Sequence, residues 1–336
     1  MYNLLKKVMK PVSVSGREDS VVAVIAEELQ PYVDSMRIDA LGNLIAFKSG
    51  NGSDKKKLMF AAHIDEIGFM VTYIEQNGFI RSTSVGGINY ASAAFTNVVF
   101  SNGTRGVMVP ESGVKPADYA ADKFVVDIGA KSRKEAERKV EIGDTFAVAS
   151  DIVKLSGSRY AGRPFDDRVG AAILIEAAKN LKDTECPNDI YFCFTVQEEV
   201  GCRGSQTAAY GVMPDIGIAL DVCGTGDSQS ADPMEVKLGG GAAIKIKDAS
   251  VICDRKLVNK MRALAEENDI KYQMEVLVRG GTDTSSMQKA AGGAFAGCIS
   301  IPTRYIHSTV ETVDMNDIKA CVSLTEAICK SDFIDF

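Results

Sequence analysis

The chain has 336 residues, of which 46% are hydrophobic and 25% are charged, and its formal net charge is −7. This length exceeds what one hydrophobic core usually covers, so it predicts a large globular domain with a second, smaller one. The acidic balance argues against general nucleic-acid binding, which requires a basic face, and the ordinary composition argues against a disordered protein.

The N-terminus and the cysteines predict where the protein works. The first residues contain no apolar signal-peptide core, and no stretch approaches the ~18 apolar residues of a membrane-spanning helix. All 8 cysteines follow Glu185, and no two of them form a Cys-x-x-Cys pair. These features predict a cytoplasmic protein with reduced thiols and no contact with membranes.

The first predicted elements are a helix and a buried strand. Residues 15–18 match a capping box and predict a helix that continues to about Leu29. Residues 57–62 are continuously apolar after the first position, which is typical of a strand that is buried on both faces. His63 follows this predicted strand directly.

The next segment, residues 71–158, has the turn signals of β-hairpins instead of the buried apolar run seen before His63. Asn77-Gly78 and Asn102-Gly103 are typical of type I′ hairpin turns, and residues 132–135 match a second capping box. The pattern predicts an inserted β-rich domain, a small barrel or sandwich, while residues 1–70 and 159–336 form the catalytic domain. The insert carries none of the candidate ligands, so we expect it to serve in oligomerisation or access control.

Candidate ligands follow the insert as well. Asp166 and Asp167 precede a helical run at residues 169–178, where the N-terminus of a helix favours carboxylates. Later strands are predicted at residues 190–196, 216–220 and 297–302, and each is followed by candidate ligands: Glu198 and Glu199, Asp221, and His307.

The remaining elements complete an α/β pattern. Helices are predicted from Asp254 to about Glu267 and from Met315 to Lys330, and residues 280–283 predict a tight turn before a short helix. The fold class is therefore α/β, with a mainly parallel sheet covered by helices. Because ligands bind beyond the carboxyl ends of parallel strands, we expect the polar residues after these strands to meet at one edge.

The residue types at this edge favour a two-metal hydrolase. His63 and His307 are the only histidines, and imidazole with carboxylate suits Zn²⁺, Co²⁺ or Mn²⁺. Asp166 would bridge the two ions, and one of the adjacent glutamates would bind metal while the other takes a proton from water. Asp65 could accept the second N–H of the His63 ring.

Each residue alone also has a plainer interpretation. A single histidine at the end of a strand is commonly a hydrogen-bonded core residue, and an aspartate there is commonly a cap. The combination favours the metal site. Two other hypotheses stay open: a di-metal deacylase or amidase that acts on N-acylated amino acids, and a non-enzymatic scaffold that has kept the fold.

Five segments resemble the motif series of the glutamyl/tetrahedral, deblocking-type di-metal aminopeptidases, in order and over nearly the whole chain: His63-Ile64-Asp65-Glu66-Ile67-Gly68-Phe69, Phe165-Asp166-Asp167-Arg168-Val169-Gly170, Gln197-Glu198-Glu199-Val200-Gly201, Leu220-Asp221 and Arg304-Tyr305-Ile306-His307-Ser308. This family is related to the bacterial leucyl aminopeptidases and to zinc carboxypeptidase-like hydrolases. No ligand position is substituted.

The resemblance implies a role for each residue. His63 and Asp221 would hold one divalent metal ion, Glu199 and His307 would hold the other, and Asp166 would bridge them. Glu198 would be the general base and acid, and Asp65 would orient His63. The two ions in each subunit would be Zn²⁺ first, with Co²⁺ or Mn²⁺ as alternatives.

The resemblance also implies substrates and assembly. It implies removal of N-terminal residues from short peptides with a free N-terminus. It further implies a PDZ-like insert that forms dimers, and a homo-oligomer that is often a dodecameric shell. Some relatives carry an endoglucanase label, but a glycosidase site with two carboxylates does not explain the two histidines.

Overall fold

The computed structural model describes residues 1–229 and 231–336. The α-helices in this part of the chain are α1 (Tyr2–Val8), α2 (Asp19–Leu29), α3 (Tyr90–Ala93), α4 (Arg133–Ala136), α5 (Arg168–Asn180), α6 (Arg203–Val212), α7 (Arg255–Glu267), α8 (Thr284–Gln288) and α9 (Met315–Lys330). Short 3-10 turns lie at Gln30–Tyr32, Pro116–Asp118 and Ala121–Lys123.

The strands of the same residues are β1 (Ser35–Ile38), β2 (Leu44–Lys48), β3 (Lys57–His63), β4 (Gly68–Ile74), β5 (Ile80–Val85), β6 (Thr96–Phe100), β7 (Arg105–Pro110), β8 (Phe124–Asp127), β9 (Thr145–Val148), β10 (Val153–Lys154), β11 (Arg159–Gly162), β12 (Asp189–Thr195), β13 (Ile216–Cys223), β14 (Ala242–Lys247), β15 (Tyr272–Val276), β16 (Phe295–Arg304) and β17 (Glu311–Asp314).

The main sheet has 11 strands in the order β1-β2-β12-β3-β13-β16-β17-β11-β10, with β14 joined to β16 and β15 joined to β14. The strands β12, β3, β13 and β16 are neighbours, and each pair among them is parallel. These are the strands that the apolar runs predicted. Their carboxyl ends therefore meet at one edge of the sheet.

The prediction of a mainly parallel sheet was wrong. The outer pairs β1–β2, β2–β12, β14–β16, β16–β17, β11–β17 and β10–β11 are antiparallel, so the sheet is mixed. Continuous apolar runs identify only strands that are buried on both faces. Antiparallel edge strands tolerate solvent, and β1 is largely exposed, so its sequence carries no such run.

Helices cover both faces of the sheet. Side chains alternate along β3, so that Leu58, Phe60 and Ala62 join the large core beneath α5 and α9, while Met59 and Ala61 face the smaller core beneath α6 and α8. The result is three layers, helix on sheet on helix. None of the helices in the described residues has the length and apolar character needed to cross a bilayer.

The strands β4-β5-β8-β7-β6-β9 close into a small barrel, as predicted for the insert. Its separate core contains Phe69, Phe100, Phe124 and Phe146. The hairpins at Asn77-Gly78 and Asn102-Gly103 are confirmed, but only the glycines have positive φ, +94° and +87°, so the turns are not type I′. The PDZ-like label and the domain limits stay predictions.

Most predicted helices are confirmed, but one cap is not. The helix α2 ends at Leu29 as expected, yet it begins at Asp19 and its N-cap residue, Glu18, makes no side-chain cap bond. The hydroxyl of Ser15 instead donates to Asp65 Oδ2 at 2.6 Å. The capping-box interpretation of residues 15–18 was therefore wrong, because Ser15 belongs to the network around His63.

Candidate metal centre

His63 and Asp221 occupy the carboxyl ends of neighbouring strands. His63 is the last residue of β3, and Asp221 lies within β13 rather than after it. Because side chains alternate, both project on the face that α6 and α8 cover. Asp221 Oδ1 lies 3.8 Å from His63 Nε2.

Asp166 lies between the two histidines. Its Oδ1 is 3.0 Å from His63 Nε2, and its Oδ2 is 3.2 Å from His307 Nε2. The residue is positioned by Glu311 of β17, whose Oε2 accepts hydrogen bonds from the backbone N–H groups of Phe165 and Asp166. One carboxylate thus faces both imidazoles with different oxygens.

Glu199 completes the group around His307. Its Oε2 lies 3.2 Å from His307 Nε2, the same distance that separates this nitrogen from Asp166. All the residues proposed from the sequence as metal ligands therefore lie together in space, although they come from distant parts of the chain.

Asp65 contacts more of the site than the sequence predicted. The Nδ1 atom of His63 lies 3.2 Å from the backbone oxygen of Asp65 and 3.4 Å from its Oδ1. The carboxylate also accepts hydrogen bonds from the backbone N–H of Glu198 at 2.9 Å and of Glu199 at 3.1 Å. It therefore contacts both the histidine and the turn that carries the two glutamates.

Glu198 points away from its neighbour. Its Oε1 accepts a hydrogen bond from Cys202 Sγ at 3.0 Å. One of its carboxylate oxygens lies within 4.8 Å of this sulfur and of a carboxylate oxygen of Asp283, whereas the groups of possible ligand atoms that contain His63 do not include Glu198. Burial raises the pKa of Glu198 to about 8, and the nearby charges of Asp283 and Glu199 act in the same direction. The two adjacent glutamates thus have different surroundings.

Sequence reasoning missed a role for Asp167. One of its carboxylate oxygens lies within 4.8 Å of a ring nitrogen of His63 and of a carboxylate oxygen of Asp221. It also caps α5 by accepting a hydrogen bond from Gly170 N. Its only signal in the sequence was its position next to Asp166, which the cap alone already explains. Glu311 carried no signal at all, since an isolated glutamate between strands has no distinctive pattern.

The site concentrates negative charge around two imidazoles. Although burial opposes the charged form of His307, hydrogen bonds to Asp166 and Glu199 raise its pKa to about 11. Burial raises the pKa of Asp221 well above its usual value, and the charge of Asp167 adds to this effect. Without a cation, these carboxylates are therefore compensated mainly by protons on themselves and on the histidines.

The donors fit divalent metal ions. They are imidazole nitrogens and carboxylate oxygens, which suit Zn²⁺, Co²⁺ and Mn²⁺ alike. Two buried oxygens, Glu199 Oε1 and Asp167 Oδ2, have no hydrogen-bond partner among residues 1–229 and 231–336. Buried acceptors in proteins are normally satisfied, so a bound cation would supply the missing partner.

A cleft of about 250 Å³ is lined in part by Arg304, Tyr305 and Ile306, the residues that directly precede His307 in the chain. Apolar side chains such as Leu277 share its lining with Arg279. The cleft is therefore large enough for one amino-acid side chain and carries both apolar and charged walls.

Comparison with known proteins gives matches over almost the full length. A relative from Acetivibrio thermocellus is 47% identical over 331 residues, covering 98% of each chain. The lysyl aminopeptidase of Pyrococcus furiosus is 32% identical over 344 residues, covering 97% of this chain and 96% of its own.

Solved structures share the fold. The TET1 peptidase of Pyrococcus horikoshii, described as able to assemble into a tetrahedron or a large octahedral shell, aligns with a TM-score of 0.87 at 35% identity, covering 98% of this chain and 99% of its own. A Thermotoga maritima protein described as an endoglucanase aligns with a TM-score of 0.82 at 31% identity, covering 97% and 96%.

A family model described as M42 glutamyl aminopeptidase matches residues 42–324, which include all the candidate ligands of the metal centre. The chain therefore belongs to the M42 glutamyl aminopeptidase family, whose members are metal-dependent hydrolases of peptide bonds.

Proposed function

We propose that this chain uses two divalent metal ions to remove single residues from the free N-terminus of short peptides. His63 and Asp221 hold one ion, Glu199 and His307 hold the other, and Asp166 is shared. The observation that carries this proposal is the position of Asp166, whose two oxygens lie 3.0 Å and 3.2 Å from the two different imidazoles. Zn²⁺ is the first candidate, and Co²⁺ or Mn²⁺ would suit the same donors.

Bound metal ions would lower the pKa of a water ligand and polarise the scissile carbonyl. Glu198 then acts as the general base: it takes the proton of the attacking water and delivers it to the leaving amine. Burial raises the pKa of this carboxyl above its usual value in the metal-free protein, which is the direction that favours a base, since a base is most effective when its pKa is near the working pH.

Asp65 and Asp167 act through other residues. Asp65 orients the His63 ring and fixes the backbone of the Glu198–Glu199 turn. Asp167 caps α5 and lies beside His63 and Asp221, where it strengthens the negative field that attracts cations. Both are positioning residues in this proposal.

The direct test replaces Glu198 by Gln. This change keeps the shape of the side chain but removes the base, so we expect turnover to fall by ~10²–10⁴-fold. Elemental analysis should still find the metal content of the wild type. A Glu198→Gln enzyme with nearly normal turnover would remove Glu198 from the role of base.

A substrate panel separates this proposal from its rivals. Aminoacyl reporters with a free amine and their N-acetylated counterparts are assayed after chelation and again after metal is restored. Metal-dependent cleavage of the free-amine set alone is expected, and its side-chain preference reports on the cleft beside His307. Cleavage of the blocked set would instead identify a deacylase. Cleavage of a cellulose oligomer would support a glycosidase, which the two histidines do not favour.

We further propose that the chain assembles into a homo-oligomer built from dimers, with a dodecameric shell as the form to test for. The likeness to the TET1 peptidase supports this proposal, as do exposed apolar side chains on the barrel such as Phe95, which is 75% exposed. In such a shell, access would be restricted to short or unfolded peptides.

The relationship to leucyl aminopeptidases and zinc carboxypeptidases also stays a prediction.

A further inference from the structure

Three side chains beside the proposed ligands form a separate group. The donor atoms of Glu198, Cys202 and Asp283 lie within 4.8 Å of one another. Glu198 follows β12, while Cys202 and Asp283 are the N-cap residues of α6 and α8. Cys202 donates to Glu198 Oε1 at 3.0 Å, and Thr195 donates to Asp283 Oδ2 at 2.5 Å. Ordered elements therefore hold all three donors in place.

Asp283 has a buried acceptor without a donor. The residue is 2% exposed, and its Oδ1 has no hydrogen-bond partner within the described residues, 1–229 and 231–336. Buried carboxylate oxygens are normally satisfied, and here the neighbouring side chain is a second carboxylate, Glu198. A cation between the two carboxylates would supply the missing partner and offset their repulsion.

The donor set indicates which cation would bind. A sulfur donor beside two carboxylates suits Zn²⁺, whereas Mg²⁺ and Ca²⁺ prefer oxygen donors alone. The proposed catalytic ligands include no sulfur, so the two kinds of site differ in chemistry. Cys202 is partly exposed, while the other cysteines of the chain are buried. An ion from solvent can therefore reach this thiol.

We propose that Glu198, Cys202 and Asp283 form an additional, inhibitory site for Zn²⁺, distinct from the ions that the histidines hold. On binding, the Cys202 thiol loses its proton to solvent, and its sulfur bonds to the ion together with one oxygen from each carboxylate. Glu198 can then no longer take a proton from water. This consequence rests on the function of Glu198 proposed above, whereas the existence of the site does not.

The first experiment counts ions and does not depend on activity. Wild-type protein and the Cys202→Ala variant are dialysed against the same concentration of free Zn²⁺, and the bound zinc is measured by elemental analysis. We expect the variant to hold one ion fewer than the wild type. With Cd²⁺ as a probe, the ultraviolet charge-transfer absorption of a cadmium–thiolate bond should appear in the wild type and be absent from the variant.

Matched variants keep the result interpretable. Cys186→Ala removes a buried thiol that lies before the amino end of β12, whereas Glu198 follows the carboxyl end of that strand, and it should leave both signals unchanged. Asp283→Asn preserves shape and can still accept from Thr195, yet it should weaken the additional ion by at least about 10-fold. Equal ion counts and no cadmium–thiolate absorption in the wild type would overturn the site.

Inhibition is then measured separately. Excess Zn²⁺ should suppress wild-type turnover, and the concentration for half inhibition should rise by at least about 10-fold in Cys202→Ala, relative to the variant's own uninhibited rate. If the additional ion binds with its thiolate signal but turnover is unaffected, the inhibitory role is overturned together with the assignment of Glu198 as base. The site itself fails only in the binding experiment.

Discussion

Asp65 links the two halves of the site at the scale of single atoms. Its carboxylate accepts from the Ser15 hydroxyl at 2.6 Å and from the backbone N–H groups of Glu198 and Glu199, while it lies 3.4 Å from His63 Nδ1. One side chain thus determines the position of a proposed ligand relative to the proposed base. Such supporting contacts tune both metal affinity and rate.

Replacing Asp65 by Asn should therefore damage the site without unfolding the protein. The amide retains one acceptor oxygen, but its NH2 group takes the place of the other. A donor then lies either where Ser15 and the Glu199 N–H need an acceptor or where His63 and the Glu198 N–H need one. We expect kcat/KM to fall by roughly 10- to 100-fold. Ser15→Ala, which removes only one of these contacts, is the control and should lose less. Equal losses in both variants would contradict the linking role of Asp65.

Protonation of the metal-free site should make the stability of the folded protein depend on pH. The folded-state pKa of Glu198 is about 8 against a usual 4.5, and that of His307 is about 11 against 6.5. Both are raised, so the folded protein binds more protons than the unfolded chain between pH 6.5 and 8. Stability of the chelated protein must then fall as the pH rises through this window.

Thermal unfolding in the presence of a chelator checks this sign. Tm should decrease from pH 6.5 to 8, because the lowered pKa values of Asp65 and Asp166 leave those groups ionised throughout the window. Metal binding displaces the same protons, so the increase in Tm caused by added Zn²⁺ or Mn²⁺ should grow over the same range. A chelated protein that became more stable with rising pH would contradict the proton count.

At the scale of elements, the sequence predicted the parts of the fold that are buried on both faces. The apolar runs before His63, Glu198 and Asp221 marked the parallel centre of the sheet, and Asp166 fell at the start of α5 as expected. The antiparallel edges were missed because half-exposed strands such as β1 carry no continuous apolar run.

The sequence predicted the site residues that lie in short motifs of potential metal ligands, and it missed those that lie outside such motifs. Ser15 was misread because a serine three residues before a glutamate looks the same whether it caps a helix or donates to a distant carboxylate. Asp283 was interpreted as part of a turn for a similar reason. Its proximity to Glu198 depends on how α8 packs beside α6, which local sequence does not encode.

The loop after β5 brings the barrel against the metal centre. A Cβ atom added at Gly87 would lie 3.2 Å from His307 Nδ1, and one at Gly86 would lie 3.3 Å from Glu199 Cβ. The barrel contributes none of the proposed ligands, yet its loop limits how far these two can move. This contact supports a role for the barrel in access to the site.

Gly87→Ala tests that contact. Gly87 does not have the positive φ that strains other residues, so the new methyl group acts mainly by displacing His307. We expect weaker metal affinity and a loss of activity of about 10-fold. Gly292→Ala is the matched control, since a Cβ there meets nothing within 4 Å. Normal metal affinity and rate in Gly87→Ala would show that the loop accommodates the methyl group without displacing His307.

At the scale of the whole molecule, a closed shell needs at least two different self-contacts on each subunit: one that forms the dimer and one that joins dimers. We take two groups of exposed apolar side chains among the described residues as candidates. The barrel surface consists of Phe95, 75% exposed, which directly precedes β6, and Val107, 39% exposed, on β7, the strand paired with β6. The sheet-edge surface consists of Ile252 and Val278, each 72% exposed.

Charged substitutions should separate these contacts. Phe95→Asp and Ile252→Asp each place an unpaired charge where an apolar contact would form, and burying such a charge is unfavourable. If each surface makes one contact, native mass spectrometry should find that both variants are smaller than the wild type, and the two variants should stop at different stages of assembly. Tyr210→Asp, on α6 and 73% exposed, lies outside both surfaces and should keep the wild-type mass. A full-sized assembly in both variants would place the self-contacts elsewhere. In either outcome the activity of the metal centre should be unchanged, because none of the proposed ligands belongs to either surface.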